Sequence, residues 1–344
     1  MIQEFAKKYN LPNFRIKQFD KAFYQNGIES FDELTTYPAD LRERLKAEVD
    51  FSTLTLEKEL VSAHKDTVKV LLKRSDGQRI EAVLMKHKDG RNTVCVSCMV
   101  GCPVNCSFCA TGKMGFGGSL SAREIIDQIV YFQRQLAKNG ERVSNVVFMG
   151  MGEPMLNLEQ VQKAIDIITD PDKLGLGSRR ITISTSGYIP QFKQLVEKGF
   201  RGRVAISLHA PNQELRAKLM PVAKIYPLDK LLEALDEYTA LTNKRVSYEY
   251  VMIKNMNDKT EHAYELVKLF GKRLAHINLI PYNPIREVEY ERSVRDQIDR
   301  FKDILTRGGV EATVRVTMGD DVNAACGQLA DRENRKNTDK KIRI

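Results

Sequence analysis

Thr93-Val-Cys95-Val-Ser97 runs through Cys98-Met-Val-Gly101 into Cys102-Pro-Val-Asn-Cys106-Ser-Phe-Cys109. The first five residues have the composition of a short buried strand, so the three thiols that follow are carried on the loop above a strand end. In proteins built from parallel strands and covering helices, ligands gather at the C-terminal strand ends. Three thiolates fall one short of the four that complete a four-iron cluster. The open iron can take an external chelator, such as the amino and carboxylate groups of a methionine moiety, and feed an electron into a sulfonium. A zinc site is the other reading. Cys95-x-x-Cys98 and Cys106-x-x-Cys109 offer four thiolates and leave Cys102 over, but the gap between the two pairs is short.

Beyond this stretch, strand-like runs at 145–149, 181–185, 204–208, 246–252, 276–280 and 313–316 alternate with helical ones. Residues 121–138 are a well-marked helix: Ser121 and Glu124 have capping-box spacing, and Ile125, Ile129, Phe132 and Leu136 share a face. That face reads as core, as does Leu228, Leu231, Leu232 and Leu235. With the strand at 93–97, the pattern is six βα units and a seventh strand, which suits an open or closed βα barrel better than a doubly wound sheet. Residues 1–85 read differently. Helical stretches at 14–24 and 39–47 precede strand-like runs at 67–73 and 79–85, joined by a turn at Ser75-Asp76-Gly77. We expect a small accessory domain over 1–85, a core over 86–330, and a polar, basic tail at 331–344 that is either an RNA-touching arm or a frayed end.

The chain has 344 residues and is 42% hydrophobic, enough for a real core and against a disordered or fibrous protein. No run approaches the roughly 18 apolar residues of a membrane span, and the first ten residues have no signal-peptide core. A cytoplasmic protein is expected. Fifty-four Lys and Arg against 45 Asp and Glu give a net charge of +9, which favours a polyanionic partner such as nucleic acid. Five of the six cysteines fall between 95 and 109, and the sixth is Cys326. Clustering of this kind points to metal or redox chemistry.

The C-x-x-x-C-x-x-C spacing with Phe108 resembles the signature of the radical S-adenosylmethionine (SAM) superfamily, and Gly150-Met-Gly152-Glu153-Pro154 resembles its glycine-rich loop. Further matches narrow this: Gly150 to Asn157, Ser184-Thr-Ser-Gly187, Ser207-Leu208-His209-Ala210, Asn278 to Pro284, and Gly319-Asp-Asp321 through Ala324-Ala-Cys326-Gly-Gln-Leu329. In order and over nearly the whole chain, they resemble the RlmN/Cfr family of RNA adenine methyltransferases. The resemblance implies an α/β radical SAM partial (β/α)6 barrel with a small N-terminal α+β accessory domain. It also implies a [4Fe-4S] cluster on Cys102, Cys106 and Cys109, and two SAM molecules per turnover.

Carbon 2 of adenine lies between two ring nitrogens and is too electron-poor to attack a methyl group directly, so a radical route is required. The resemblance implies that Cys326 is first methylated by one SAM. A deoxyadenosyl radical from a second SAM then turns the S-methyl into a methylene radical that joins the base. Cys95 releases the product through a transient disulfide with Cys326, and Glu81 accepts the proton. SAM contacts fall by the same carry-over on Gly152, Glu153, Ser184, Ser207, Leu208, His209 and Asn283; Cys98 has no role. Glu81 read alone is a surface carboxylate, and His209 a core histidine. The implied partners are 23S rRNA and tRNA, with an external electron donor such as flavodoxin or ferredoxin, no membrane and a monomer. Gly-Glu-Pro at 152–154 and Ser-Thr-Ser-Gly at 184–187 favour carbon 2 over the carbon 8 of Cfr-type enzymes, although Met318 and Asn323 depart from the commonest pattern. A non-catalytic iron-sulfur RNA-binding protein is the alternative from another class; it has no need of Cys95 and Cys326 together. Arg179-Arg180 and 201–203 are candidates for phosphate contact, with solvated surface as the plainer account.

Overall fold

The computed structural model describes residues 2–330, so the expected tail at 331–344 lies outside the described residues. Three strands open the sheet: β1 (Leu54–Val61), β2 (Thr67–Arg74) and β3 (Arg79–Lys86), paired antiparallel in chain order. The turn between β2 and β3 forms at Ser75-Asp76-Gly77, closed by Gly77 N–H to the Arg74 carbonyl at 3.0 Å. β3 pairs antiparallel with β4 (Asn92–Cys95). After β4 come the two short strands of a separate ribbon, β5 (Met99–Gly101) and β6 (Phe116–Ser119), with the cysteine loop between them.

The barrel strands follow: β7 (Asn145–Phe148), β8 (Ile181–Thr185), β9 (Arg203–Ser207), β10 (Val246–Met252), β11 (Ala275–Pro281) and β12 (Glu311–Val314). Among the described residues the main sheet runs β1-β2-β3-β4-β7-β8-β9-β10-β11-β12. It is parallel from β4 onward. Seven parallel strands with six helical crossovers are the expected βα pattern. The antiparallel strands before β4 extend the same sheet across residue 85.

The first crossover shows why these helices form where they do. Helix Ala122–Ala137 starts at the capping box: Ser121 Oγ accepts from Glu124 N–H at 3.2 Å, and Glu124 Oε2 accepts from Ser121 N–H at 2.8 Å. Losing such a cap costs about 1 kcal/mol. Ile125, Ile129, Phe132 and Leu136 are buried on its inner face. From the same helix, the Arg134 guanidinium lies 4.4 Å from the centroid of Phe51, which joins Phe19, Phe23 and Phe31 in an aromatic cluster. The N-terminal helices Ile2–Lys8, Asn13–Asp20 and Ala39–Glu48 bring that cluster to the barrel, and the core is continuous through it. Among the described residues, no helix is long and apolar enough to cross a membrane.

Candidate active site

The cysteine loop is held by a close backbone approach. Gly101 has φ +67°, and a Cβ there would lie 1.9 Å from the Gly115 carbonyl oxygen. That oxygen accepts from Cys102 N–H at 2.8 Å. Only glycine lets the two strands of the ribbon meet so closely. Cys102, Cys106 and Cys109 are half-buried, free of disulfides, and line one cavity of about 170 Å³ above the C-terminal ends of the barrel strands. Burial pushes the Cys102 thiol up to about 12 and the Cys106 thiol well above its usual range. Thiols desolvated as Cys102 and Cys106 are stay protonated until a cation takes them, and with Cys109 on the same wall they are a donor set for an iron-sulfur cluster.

The strand-end loops complete this cavity. Gly152, Glu153, Ser184, Ser207 and His209 line it together with the three thiols. Glu153 is buried, which raises its carboxyl above the usual range. Its Oε1 accepts from Met155 N–H at 3.0 Å, and its Oε2 accepts from Ser186 N–H at 2.8 Å and Ser186 Oγ at 2.7 Å. His209 has φ +56° and is buried against the Phe108 ring. Its Nδ1 accepts from Val251 N–H at 3.0 Å, which leaves the ring hydrogen on Nε2. Burial, then the charge of Arg216, lowers its pKa to about 3, so the ring is neutral at physiological pH. Leu208 is different: its side chain is packed in the core and lines neither this cavity nor the next.

A second cavity, of about 260 Å³, adjoins the first and is lined by Cys95, Met85, Met149, Asn283, Met318 and Cys326 among others. Cys326 lines both cavities. Its segment is stitched to the cysteine loop: Ala110 N–H donates to the Gly327 carbonyl at 2.8 Å, and Thr111 Oγ1 to the Leu329 carbonyl at 2.5 Å. Asn283 Nδ2 donates to the carbonyl of Cys326 itself at 3.1 Å. Asn283 therefore stands with the two outlying cysteines and lines the second cavity, not the first. Cys95 closes β4, and burial, then the neighbouring Cys326 charge, pushes its thiol up to about 12. It rests as a neutral thiol.

Two of the remaining sequence candidates stand apart. Glu81 on β3 is buried in an ion pair with Lys69, Oε1 to Nζ 2.9 Å, and its Oε2 accepts from Ala330 N–H at 2.8 Å. It lines a third cavity, beside Lys58 and Arg286, rather than either of the first two. Cys98 is buried beneath the site, with its carbonyl held by Asn157 Nδ2 at 2.9 Å and Leu120 N–H at 3.0 Å. The two C-x-x-C pairs are thus split between core and cavities. Among the described residues, no three His, Cys, Asp or Glu side chains converge to hold a single metal ion. A cluster does not ask for that, because each of its irons takes a thiolate of its own.

Two residues of the site escaped the sequence reading. Arg315, just past the end of β12, lines both cavities and reaches Met149 Sδ at 4.0 Å. Its neighbours Cys326 first and then Glu249 favour the charged guanidinium against the opposing effect of burial, so that it stays protonated. Glu249 on β10 is a buried carboxylate on the wall of the first cavity, raised by burial and bonded to Asn278 Nδ2 at 2.9 Å. A charged residue in the middle or at the C-terminal end of an apolar strand was the signal for each. Arg179, Arg180, Arg201 and Arg203, by contrast, are exposed at the N-terminal ends of β8 and β9, opposite the cavities. Solvated surface accounts for them.

Known proteins bear on this geometry. Residues 96–267 match the Radical SAM superfamily. The chain is 46% identical over 326 residues to the probable dual-specificity RNA methyltransferase RlmN of Symbiobacterium thermophilum, covering 94% of this chain and 87% of that one. It is 43% identical over 328 residues to the protein of the same description from Dictyoglomus thermophilum, covering 95% and 93%. The crystal structure of a radical SAM methyltransferase from Sphaerobacter thermophilus superposes with a TM-score of 0.92 at 40% identity, covering 95% of this chain and 96% of that one. A [4Fe-4S] cluster and SAM are the cofactors of this superfamily. The chain belongs to the radical SAM superfamily and, within it, to the RlmN family of SAM-dependent RNA methyltransferases.

Proposed function

We propose that this protein methylates carbon 2 of adenine, in the peptidyl-transferase region of 23S rRNA and beside the tRNA anticodon, with Cys326 as the methyl carrier. One observation carries the reading. Cys326 lines both the cavity that holds the three loop thiols and the cavity that holds Cys95. A methyl carrier must receive carbon from SAM on one side and present it to a base on the other, and no other cysteine but Cys109 faces both. Cys109 belongs with Cys102 and Cys106 as a cluster ligand. The description of the curated relatives as dual-specificity enzymes supports two RNA substrates.

Each residue has a task. Gly152, Glu153, Ser184, Ser207 and His209 form the wall against SAM, with the backbone of Leu208 between them. Glu153 and Ser186 bind each other, so they shape that wall as a unit. The Cys326 thiolate attacks the methyl carbon of the first SAM, and the electron pair of the broken carbon–sulfur bond leaves with S-adenosylhomocysteine. Cys102, Cys106 and Cys109 would hold the cluster, which with a second SAM would supply the hydrogen abstraction that activates the S-methyl carbon on Cys326. Cys95 stays out of the first step because it is neutral and faces the second cavity only. Once deprotonated, it attacks the sulfur of Cys326; the sulfur–carbon bond to the base breaks, its electron pair goes to the carbon, which takes up a proton to become the methyl group, and a Cys95–Cys326 disulfide is left for an external thiol to reduce.

Glu81 accepts the proton from the base after exchanging its Lys69 and Ala330 partners. Residues 1–85 help to hold structured RNA, and Lys58 and Arg286 flank the Glu81 cavity on that side. Electrons come from a flavodoxin or ferredoxin, and the protein works as a cytoplasmic monomer. Mass spectrometry of rRNA and tRNA nucleosides from cells with and without the gene tests the reading. Loss of 2-methyladenosine from both RNAs supports it, and so does its restoration by wild-type protein but not by Cys326→Ala. Loss of 8-methyladenosine instead overturns the carbon-2 assignment.

A further inference from the structure

Arg216 is 0% exposed, yet among the described residues it has no carboxylate partner. It sits on helix Gln213–Leu219, whose first turn is capped by Asn212 Oδ1 accepting from Leu215 N–H at 3.0 Å. One nitrogen, Nη2, donates to the Ser186 carbonyl at 2.7 Å and to the Ser207 carbonyl at 3.3 Å. Its Nε and Nη1 are buried without a hydrogen-bond partner. A guanidinium in this setting loses several kcal/mol of hydration that neutral carbonyls only partly return. Burial brings its pKa down to about 10, with Cys106 pulling the other way, so it remains a cation at neutral pH.

The two carbonyls that Arg216 bridges belong to Ser186 and Ser207, both on the wall of the three-thiol cavity. The cation therefore lies behind that wall, within electrostatic reach of Cys106. Three thiolates around a doubly positive four-iron core leave one negative charge, and one-electron reduction makes it two. We propose that Arg216 is the built-in countercharge of the iron-sulfur cluster, a positioning residue that favours the reduced cluster and ties the ends of β8 and β9 behind it. A fixed positive charge beside the cluster stabilises the more negative state, so the electron from a low-potential one-electron donor is accepted more readily. No proton moves in this step. The proposal rests on Cys102, Cys106 and Cys109 holding the cluster and is independent of which adenine carbon is methylated.

Full-length wild-type, Arg216→Gln and Arg216→Lys proteins, loaded anaerobically with iron and sulfide, are poised at graded low potentials, and the reduced cluster is read by its electron paramagnetic resonance. Gln keeps a donor for the Ser186 carbonyl and removes the charge; Lys keeps the charge. In the Gln protein the ratio of reduced to oxidised cluster at a fixed potential falls about tenfold, equivalent to about 59 mV for a one-electron couple. The Lys protein stays close to wild type. Superimposable curves for wild type and Gln overturn the proposal, as does a Lys protein shifted as far as the Gln protein. If the Gln protein does not fold, Arg216→Met takes its place, and the Lys protein must still match wild type. Wild-type protein that binds no iron would instead overturn the cluster assignment.

Discussion

The side-chain amide of Asn283 donates to the Cys326 carbonyl at 3.1 Å while its own carbonyl accepts from Arg292 Nη2 at 2.9 Å. The loop after β11 thus fixes the height of the cysteine that meets both cavities. Asn283→Ala removes the bond to Cys326, worth about 1 kcal/mol, and leaves Arg292 Nη2 with Asp320 Oδ2, at 3.2 Å, as its partner. Because Asn283 lines the second cavity, we expect methylation to slow by on the order of tenfold, while SAM affinity stays near wild type. Single-turnover rates and equilibrium SAM binding separate the two. Weakened SAM binding with an unchanged rate would return Asn283 to the role of a SAM contact.

Glu81 and Lys69 form an ion pair closed off by the segment that carries Cys326, since Ala330 N–H holds the carboxylate and the Asn323 carbonyl holds the ammonium at 3.1 Å. Glu81→Gln and Lys69→Met each remove one charge of this buried pair. Each single change should cost about 3–5 kcal/mol, and the double change much less than their sum. Chemical unfolding of the four proteins closes this cycle. Additive losses would mean that the two groups do not act as a pair.

His209 gives the protein a pH dependence of known sign. Its pKa is about 3 in the folded chain and near 6.5 in the unfolded one, so the unfolded state takes up the proton first as pH falls. The stabilisation is complete above pH ~6.5 and is lost on acidification towards ~3, with a slope of up to about 1.4 kcal/mol per pH unit. Glu153 and Glu249, raised by burial, act in the opposite sense, so the comparison has to be with His209→Gln. Urea midpoints between pH 5 and 7.5 should fall more steeply for wild type than for the variant. Parallel curves would show that folding leaves the proton affinity of the ring unchanged.

Much of this site was legible because its chemistry is local in sequence. The cysteine loop, the Gly152-Glu153 loop, Ser184 and the Ser207 to His209 segment lie in or just past the ends of strands whose apolar runs mark them, and strand ends converge, while their part in binding SAM was implied by the family resemblance alone. Strand β10 was readable over its full length for the same reason. Strand β1 was missed because it is an edge strand whose Glu57, Lys58 and Glu59 face solvent, a pattern equally good for a helix. The ribbon of β5 and β6 was missed because strands of three and four residues, one of them Phe-Gly-Gly-Ser, carry no period. Arg216 was unreadable for a different reason. On a short polar helix it looks like any exposed arginine, and only the packing of β8 and β9 reveals that it is enclosed.

That ribbon yields the last prediction. A methyl group at position 101 would lie 1.9 Å from the Gly115 oxygen, on a backbone at φ +67° that side chains rarely adopt. Neither strand can yield without breaking the Cys102 N–H bond to that same oxygen, so Gly101→Ala must move Cys102. The main sheet does not pass through this ribbon, and its register and helices have no reason to change. We therefore expect Gly101→Ala to fold, with wild-type far-ultraviolet circular dichroism, yet to lose most of its iron on anaerobic loading. Cys98→Ala, three residues earlier and just before the strand, changes a buried thiol outside both cavities and should load fully. If Gly101→Ala binds iron as tightly as wild type, then Cys102 does not depend on the ribbon for its place, and the cluster loop must be held by its contacts with Gly327 and Leu329 instead.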